Sequence, residues 1–315
     1  MEEIISTSRT FGKYSMKPVK LLEEAQYKIT YKAGINTEEQ MINAIKGKKI
    51  LIVGVEPVTK RVIEQSPELK VIAKHGIGID NIDLEAAKKG NVMVVNVPGA
   101  NQHAVADYVI GLMLSISRGI SKSYLDLKNH NWNIQTGNEI YGKTMGVVGT
   151  GRIGSEVIRR AAGFNMNILM YDLYKNEQLE EEYNNAHYVS LKKLLKESDY
   201  VTIHINLTEN TRHFIGMDEL NEMKENATLI NTSRGGIINE DALYEFLKEN
   251  KDFSAGLDVF EDEPFSDHPL LSLENFIGTP HNAGYTKEAL TEMGTITAEN
   301  IINILKGKDP LHKVV

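Results

Sequence analysis

The 315-residue chain contains no cysteine. This excludes disulfides, thiolate zinc sites, iron–sulfur clusters and cysteine nucleophiles, and it fits a reducing, cytoplasmic setting. Excess positive charge is also missing. Lys and Arg number 35 against 43 Asp and Glu, a formal net charge of −8, which argues against wholesale binding to nucleic acid. The longest apolar stretch, 105–116, is interrupted by Asp107 and is too short to span a bilayer, so no membrane partner is expected. The start, Met1-Glu2-Glu3-Ile4-Ile5-Ser6, has no basic segment followed by an apolar run, so no secretory signal is read. Repeats, low-complexity tracts and long linkers are absent as well. What remains is an ordinary globular composition, 41% hydrophobic and 25% charged, with length for about two domains.

The charge is unevenly divided. Residues 1–98 carry 15 basic against 12 acidic side chains, and the remainder 20 against 31. A mildly basic N-terminal third either arises by chance or meets a small anion. Within it, 4–8, 28–31, 49–54, 69–74 and 92–97 read as short strands rich in Val and Ile, bounded by Gly or Pro. Thr37-Glu38-Glu39-Gln40 is a capping box opening a helix, and the helical stretch 83–89 ends at Gly90. Pro98-Gly99-Ala100-Asn101 interrupts the alternation. A long apolar helix follows over 103–130, with a break expected near Gly119. A second alternating series has strands at 145–149, 168–172, 200–205, 227–232, 254–259 and 276–279, with helices such as 152–162, 191–197 and 240–250 between them. Six such strands make a doubly wound parallel sheet. A final helix spans about 286–306.

Gly149-Thr150-Gly151-Arg152-Ile153-Gly154 fits G-x-G-x-x-G, follows the apolar run Met145-Gly146-Val147-Val148 and opens a helix. Gly149 permits the tight turn, Gly151 lets the backbone approach a pyrophosphate, and Gly154 lets the helix pack on the strand. The N–H groups at the helix start, those of Arg152 and Ile153, favour an anion. Asp172 ends the next strand, 18 residues after Gly154, where a carboxylate binds ribose hydroxyls and repels a 2′-phosphate; NAD is therefore expected over NADP.

In a parallel sheet the strand ends open on one edge, where ligands bind. Three strands finish there with polar groups: Arg234, Glu263 and His281. Hydride transfer to a 2-keto acid needs such a set. An imidazolium supplies the proton to the developing alkoxide, a carboxylate orients the ring and favours its charged form, and an arginine grips the substrate carboxylate in a fork. Bland readings stand beside these: His281 as a loop histidine, Glu263 as part of the solvated acidic run Glu261-Asp262-Glu263. No metal site is read.

Over nearly its whole length the sequence resembles the D-isomer-specific 2-hydroxyacid dehydrogenases. The matching stretches are Gly76-Ile77-Gly78-Ile79-Asp80-Asn81-Ile82-Asp83, Asn96-Val97-Pro98-Gly99-Ala100-Asn101, the dinucleotide loop, Asn231-Thr232-Ser233-Arg234-Gly235, Leu257-Asp258-Val259-Phe260-Glu261-Asp262-Glu263-Pro264 and Thr279-Pro280-His281. The resemblance implies an α/β chain of two doubly wound parallel-sheet domains. A Rossmann NAD-binding domain, 100–284, is inserted into a flavodoxin-like substrate domain formed by 1–99 and 285–315, with hinges near 98–101 and 284–286. It implies catalytic roles for Arg234, Glu263 and His281. Backbone N–H groups at His75-Gly76-Ile77-Gly78, together with Asn101, should hold the substrate. Asp258 should lie near the nicotinamide carboxamide, and His204, Asn206, Thr232 and Gly284 should line the cofactor. The helix from His103 resembles the family's dimer-forming segment, so a homodimer is expected.

Within the family the chain looks closest to phosphoglycerate dehydrogenases without a regulatory domain, because of its Thr7-Ser8-Arg9-Thr10-Phe11-Gly12 start and the absence of a C-terminal extension. Arg9 and Lys74 could then form a cationic pocket for 3-phosphoglycerate, or simply be surface cations. Departures include His75 where a small residue is common, Asn206 for a frequent proline and Asp107 for a frequent glutamate. A reductase of hydroxypyruvate, glyoxylate or another 2-keto acid is the rival within the family. An NAD-sensing corepressor-like binder is the rival of another class.

Overall fold

The structure, a computed structural model, describes residues 3–315. The chain divides into two compact units, Met1–Asn101 with Tyr285–Val315, and Gln102–Gly284. The first unit therefore runs two residues beyond the expected boundary at 99.

The first unit holds a five-stranded sheet: β1 (Glu3–Ser6), β2 (Lys28–Tyr31), β3 (Ile50–Val53), β4 (Val71–Lys74) and β5 (Met93–Val95). All neighbours are parallel, in the order β2-β1-β3-β4-β5, the flavodoxin-like arrangement. Side chains alternate across a strand, and here both faces are buried, which explains the unbroken apolar runs. Ile4, Ile50, Ile52 and Ala73 pack with Val19, Leu22, Ala298 and Ile301 of helices Lys17–Glu24 and Lys287–Leu305. Ile5, Leu51, Val53 and Ile72 pack on the other side with Met41, Val62 and Ala87.

The capping box expected at Thr37 forms. Thr37 accepts from Gln40 N–H while the Gln40 side chain returns to the Thr37 N–H. Asp83 accepts from Ala86 N–H at 2.8 Å, a contact worth about 1 kcal/mol. The chain terminus adds an unexpected element: Lys313 bridges Val95 antiparallel and Val314 N–H donates to Val94 O at 2.8 Å, covering the sheet edge beside β5.

The second unit holds seven parallel strands rather than six: β6 (Thr144–Val148), β7 (Asn167–Tyr171), β8 (Ala186–Tyr188), β9 (Tyr200–Ile203), β10 (Thr228–Asn231), β11 (Ser254–Leu257) and β12 (Phe276–Gly278). The order is β12-β11-β10-β9-β6-β7-β8. The added strand, β8, is three residues long, with the exposed His187 at its centre; it is too short and too polar to carry a period-two signal. The chain reverses direction across the sheet between β6 and β9, the topological switch point where ligands of this architecture bind.

Helix Gln102–Ser117 lies within the second unit's core through Val109, Leu112 and Met113. It breaks at Gly119, whose φ of +59° is left-handed, and the next helix, Ile120–Lys128, turns away by 63°. That second helix buries none of its residues. No single helix among the described residues is long and apolar enough to cross a membrane.

Candidate active site

The dinucleotide loop follows β6 as the sequence requires. Gly149 has φ +93°, and a Cβ there would sit 2.7 Å from His204 O. A Cβ on Gly154 would lie 2.0 Å from Gly149 O, so only glycine lets the helix Arg152–Ala162 close on the strand end. Gly151 faces open space within 4 Å. The N–H groups of Arg152 and Ile153 stand at the first two helical positions, where no intrahelical acceptor exists. The carboxylate of Asp172, just past β7, takes hydrogen bonds from Thr150 N–H (2.6 Å), Thr150 Oγ1–H (3.2 Å) and Tyr174 N–H (3.0 Å). Tyr188 braces this corner through Thr150 Oγ1 at 2.7 Å and Asn176 N–H at 2.8 Å. Together Thr150, Gly151, Arg152, Ser155, Asp172 and Asn176 line a cavity of about 510 Å³.

Two further features fit a dinucleotide here. His204 Nδ1 and Thr232 Oγ1, beyond the ends of β9 and β10, are shut off from solvent and have no partner among the described residues. A buried polar group without a partner costs about 1–3 kcal/mol, so both atoms are poised for a ligand. Burial pushes the His204 imidazole down to about 3, so the ring is neutral. Its Nε2 lies 3.0 Å from Thr202 Oγ1. Asn206 is exposed, with its carbonyl accepting from Thr211 Oγ1–H at 2.6 Å. Gly284 is half-buried in a turn at the end of the unit.

The three polar residues expected on one edge lie beyond β10, β11 and β12 of that edge. His281 Nδ1 is 2.7 Å from Glu263 Oε2, and Glu263 Oε1 accepts from Phe260 N–H at 2.8 Å. Burial alone would raise the Glu263 carboxyl, but the hydrogen bond and charge of His281, the Phe260 N–H and the nearby Arg234 hold it below its ordinary value. Arg234 donates through one guanidinium nitrogen to Ser233 O at 2.6 Å. Its loop is shaped by Asn231, which accepts from Ser233 N–H and Oγ–H and donates to Arg234 O. His281 has a left-handed φ of +54°, fixed by its N–H donating to Asp258 O and Thr279 O. With Nδ1 committed to Glu263, Nε2 remains for a reacting group.

Asp258 is fully buried. Its Oδ1 accepts from Thr279 Oγ1–H (2.6 Å) and Asn282 N–H (2.8 Å), and Oδ2 from Ala283 N–H (2.8 Å). Burial raises its carboxyl despite these bonds. Asp258 thus holds the segment that carries His281.

In the first unit, none of the backbone N–H groups of Gly76, Ile77 and Gly78 donates to an acceptor among the described residues; the strand-end loop presents free donors. His75 does not join them. Its N–H donates to Val53 O at 2.9 Å, and its side chain is buried, with Nδ1 2.9 Å from Ser8 Oγ and 3.3 Å from Thr10 Oγ1. Burial, with the Lys74 charge adding to it, lowers this imidazole to about 4. Lys74 is buried, and its ammonium donates to Gly54 O and to Asn81 Oδ1 (2.7 Å). The register that ends β4 at Lys74 turns its stem inward, and Gly76 packs against it. Arg9 is exposed, and Asn101 Oδ1 is buried with no partner among the described residues.

Residues 110–283 match the family model described as the NAD-binding domain of D-isomer-specific 2-hydroxyacid dehydrogenases. A D-3-phosphoglycerate dehydrogenase of Methanocaldococcus jannaschii is 44% identical over 92% of the chain, which spans 56% of that relative's length. A glyoxylate reductase of Korarchaeum cryptofilum is 41% identical over 81% of the chain and 79% of the relative. The chain belongs to the D-isomer-specific 2-hydroxyacid dehydrogenase family. The family is one of NAD-dependent oxidoreductases acting on hydroxy and keto acids. The apo-structure of D-lactate dehydrogenase from Escherichia coli superposes with a TM-score of 0.89 at 32% identity, covering 100% of both chains.

Several supporting residues carry no sequence signal. Tyr188, Glu240 and His268 lie far apart along the chain and match no short motif; only the fold brings them to the loops they brace.

Proposed function

We propose that this family member interconverts a short, unphosphorylated 2-keto acid, of the glyoxylate or hydroxypyruvate class, with the corresponding 2-hydroxy acid, using Arg234, Glu263 and His281 as catalytic groups. The observation that carries the mechanism is the 2.7 Å contact of Glu263 with His281 Nδ1. It fixes the ring and leaves Nε2 to exchange a proton. When bound, the nicotinamide supplies the hydride that reaches the carbonyl carbon. His281, protonated, gives its Nε2 proton to the carbonyl oxygen as negative charge develops there; in the reverse direction it takes that proton back. Glu263 accepts from Nδ1–H and stabilises the imidazolium. The Arg234 guanidinium attracts the substrate carboxylate and polarises the carbonyl. In the first unit, the N–H groups of Gly76, Ile77 and Gly78 would hold an anion.

The substrate reading rests on Lys74. With its ammonium bound to Gly54 O and Asn81 Oδ1, the cation expected to meet a phosphate is held internally. A 3-phosphoglycerate dehydrogenase is the second reading, favoured by the exposed Arg9 just beyond β1 and by the 44% identity to an enzyme of that name. A panel of glyoxylate, hydroxypyruvate, pyruvate, 2-ketoisocaproate and 3-phosphohydroxypyruvate, with NADH oxidation as readout, decides. A phosphorylated substrate preferred more than tenfold, with its KM raised selectively in Arg9→Ala, establishes the second reading. Tight NADH binding with no turnover would instead point to an NAD-sensing binder.

We also infer a homodimer through the second unit. The helix Ile120–Lys128 and the segment after it expose Tyr124, Leu125, Leu127, Trp132 (85% exposed) and Ile134 (89%), a concentration of apolar surface that marks an interaction face.

A further inference from the structure

Glu240 opens the helix Glu240–Glu249, beside the N-cap Asn239, whose side chain accepts from Ala242 N–H. Its carboxylate is nearly buried, with 12% of the side chain exposed, and reaches away from its own helix. Oε1 accepts from Glu261 N–H at 2.7 Å, and Oε2 lies 2.9 Å from His268 Nε2. His268 Nδ1 accepts from Leu270 N–H, so the proton of the neutral ring sits on Nε2 and is donated to Glu240. The His268 ring is wedged against Phe260 and Phe265, with centroids 5.1 and 5.0 Å away.

These contacts meet at the step Phe260–Glu261. Phe260 N–H donates to Glu263. The Phe260 carbonyl is the surface on which Gly235 rests, so closely that a Cβ on Gly235 would lie 1.9 Å from the oxygen. One backbone step therefore carries the Glu263 loop on one side and abuts the Arg234 loop on the other, and Glu240 pins it from a regular helix. A second tether is weaker: the Glu261 side chain reaches His213 (2.8 Å) and Arg212 (3.4 Å) near the surface.

We propose that Glu240, held by His268, is a positioning residue that sets Arg234 and the Glu263–His281 pair in register. It acts through the Phe260–Glu261 peptide and touches no reacting atom. The inference rests on the catalytic roles proposed above. Burial raises the Glu240 carboxyl, a cost consistent with a charge retained for geometry.

The experiment uses the full chain. E240A is expected to lower kcat for glyoxylate with NADH by tenfold or more, leaving the NADH Kd within threefold of the parent, because the dinucleotide loop is untouched. E240Q is expected to recover to within threefold, since its amide oxygen still accepts from Glu261 N–H. If E240A does not fold, E240D, which keeps the charge but shortens the reach, is expected to show the same kcat loss. In 15N-histidine-labelled, substrate-free protein, His281 ring shifts are expected to move in E240A or E240D while those of His130 stay fixed. Parent-like kcat with unmoved His281 shifts overturns the proposal, as does loss of NADH affinity in parallel with kcat. Absence of turnover in the parent enzyme counts against the proposed function alone, and the ring shifts then decide the positioning role.

Discussion

Gly235→Ala is the sharpest perturbation available, because it inserts one methyl group between two loops of the site. The added Cβ would fall 1.9 Å from Phe260 O and 2.0 Å from Phe260 C, against a closest approach of about 3.0 Å in real structures. Both contacts are backbone atoms, so no side-chain rotation relieves them. The Arg234 loop and the Phe260–Glu263 loop must separate by about 1.1 Å. A misplacement near 1 Å costs about 10²-fold in rate where reacting groups must be aligned, equivalent to about 2.7 kcal/mol of transition-state stabilisation. The assay is steady-state kcat/KM for the best keto acid of the panel, alongside NADH Kd by fluorescence quenching. The expected result is a loss of about 10²-fold in kcat/KM with NADH affinity unchanged. A variant within threefold of the parent would show that the two loops need not be in register, and would refute the reasoning.

Other expectations follow from the same geometry. His281→Ala should lower kcat by about 10²–10⁴-fold; a near-normal kcat, with a primary deuterium effect showing that hydride transfer limits the rate, removes it from the acid–base role. NADH should exceed NADPH in kcat/KM by at least about 10²-fold, because Asp172 would lie against a 2′-phosphate; equal efficiencies would count against that placement. For His75 the folded imidazole is lowered from 6.5 to about 4, so above pH 6.5 it contributes no pH dependence. As pH falls from 6.5 towards 4 the unfolded chain gains a proton that the folded one refuses, and stability is lost, by up to about 3 kcal/mol. His75→Phe should therefore reduce proton uptake on unfolding in that window by close to one; unchanged uptake would mean the ring is protonated in the folded state. Light scattering should give twice the chain mass for the parent and a lower mass for Trp132→Asp; a monomeric parent would rule out the proposed dimer.

Local features were readable along the chain because their causes are local. The glycine loop needs a strand, a turn and a helix start within a dozen residues, and Gly154 answers to Gly149 five positions away, although Gly149 itself is pressed by the distant His204. The capping box at Thr37 and the break at Gly119 belong to the same kind. The strand ends also announced Arg234, Glu263 and His281, because parallel order alone sends those ends to one edge. Which atoms meet there was not readable: Glu263 and His281 are 18 positions apart, and their contact depends on how β11 and β12 are spaced.

Lys74 and Asp258 mark the limit. Each ends a strand or lies one step beyond it, where sequence alone leaves open whether the side chain faces a ligand or the interior. For Lys74 the register against Val53 decides, turning the ammonium to Gly54 and Asn81; for Asp258 the return of the chain at 279–283 supplies three donors that enclose it. The sequence by itself determined the alternation of strand and helix, the two sheets, the dinucleotide loop and the strand ends that carry Arg234, Glu263 and His281, because these follow from periodicity and short-range sterics. Tertiary structure alone decided which charged groups are spent on holding loops and which are left to react, because a buried charge takes its role from partners that only the packed fold brings within hydrogen-bonding distance.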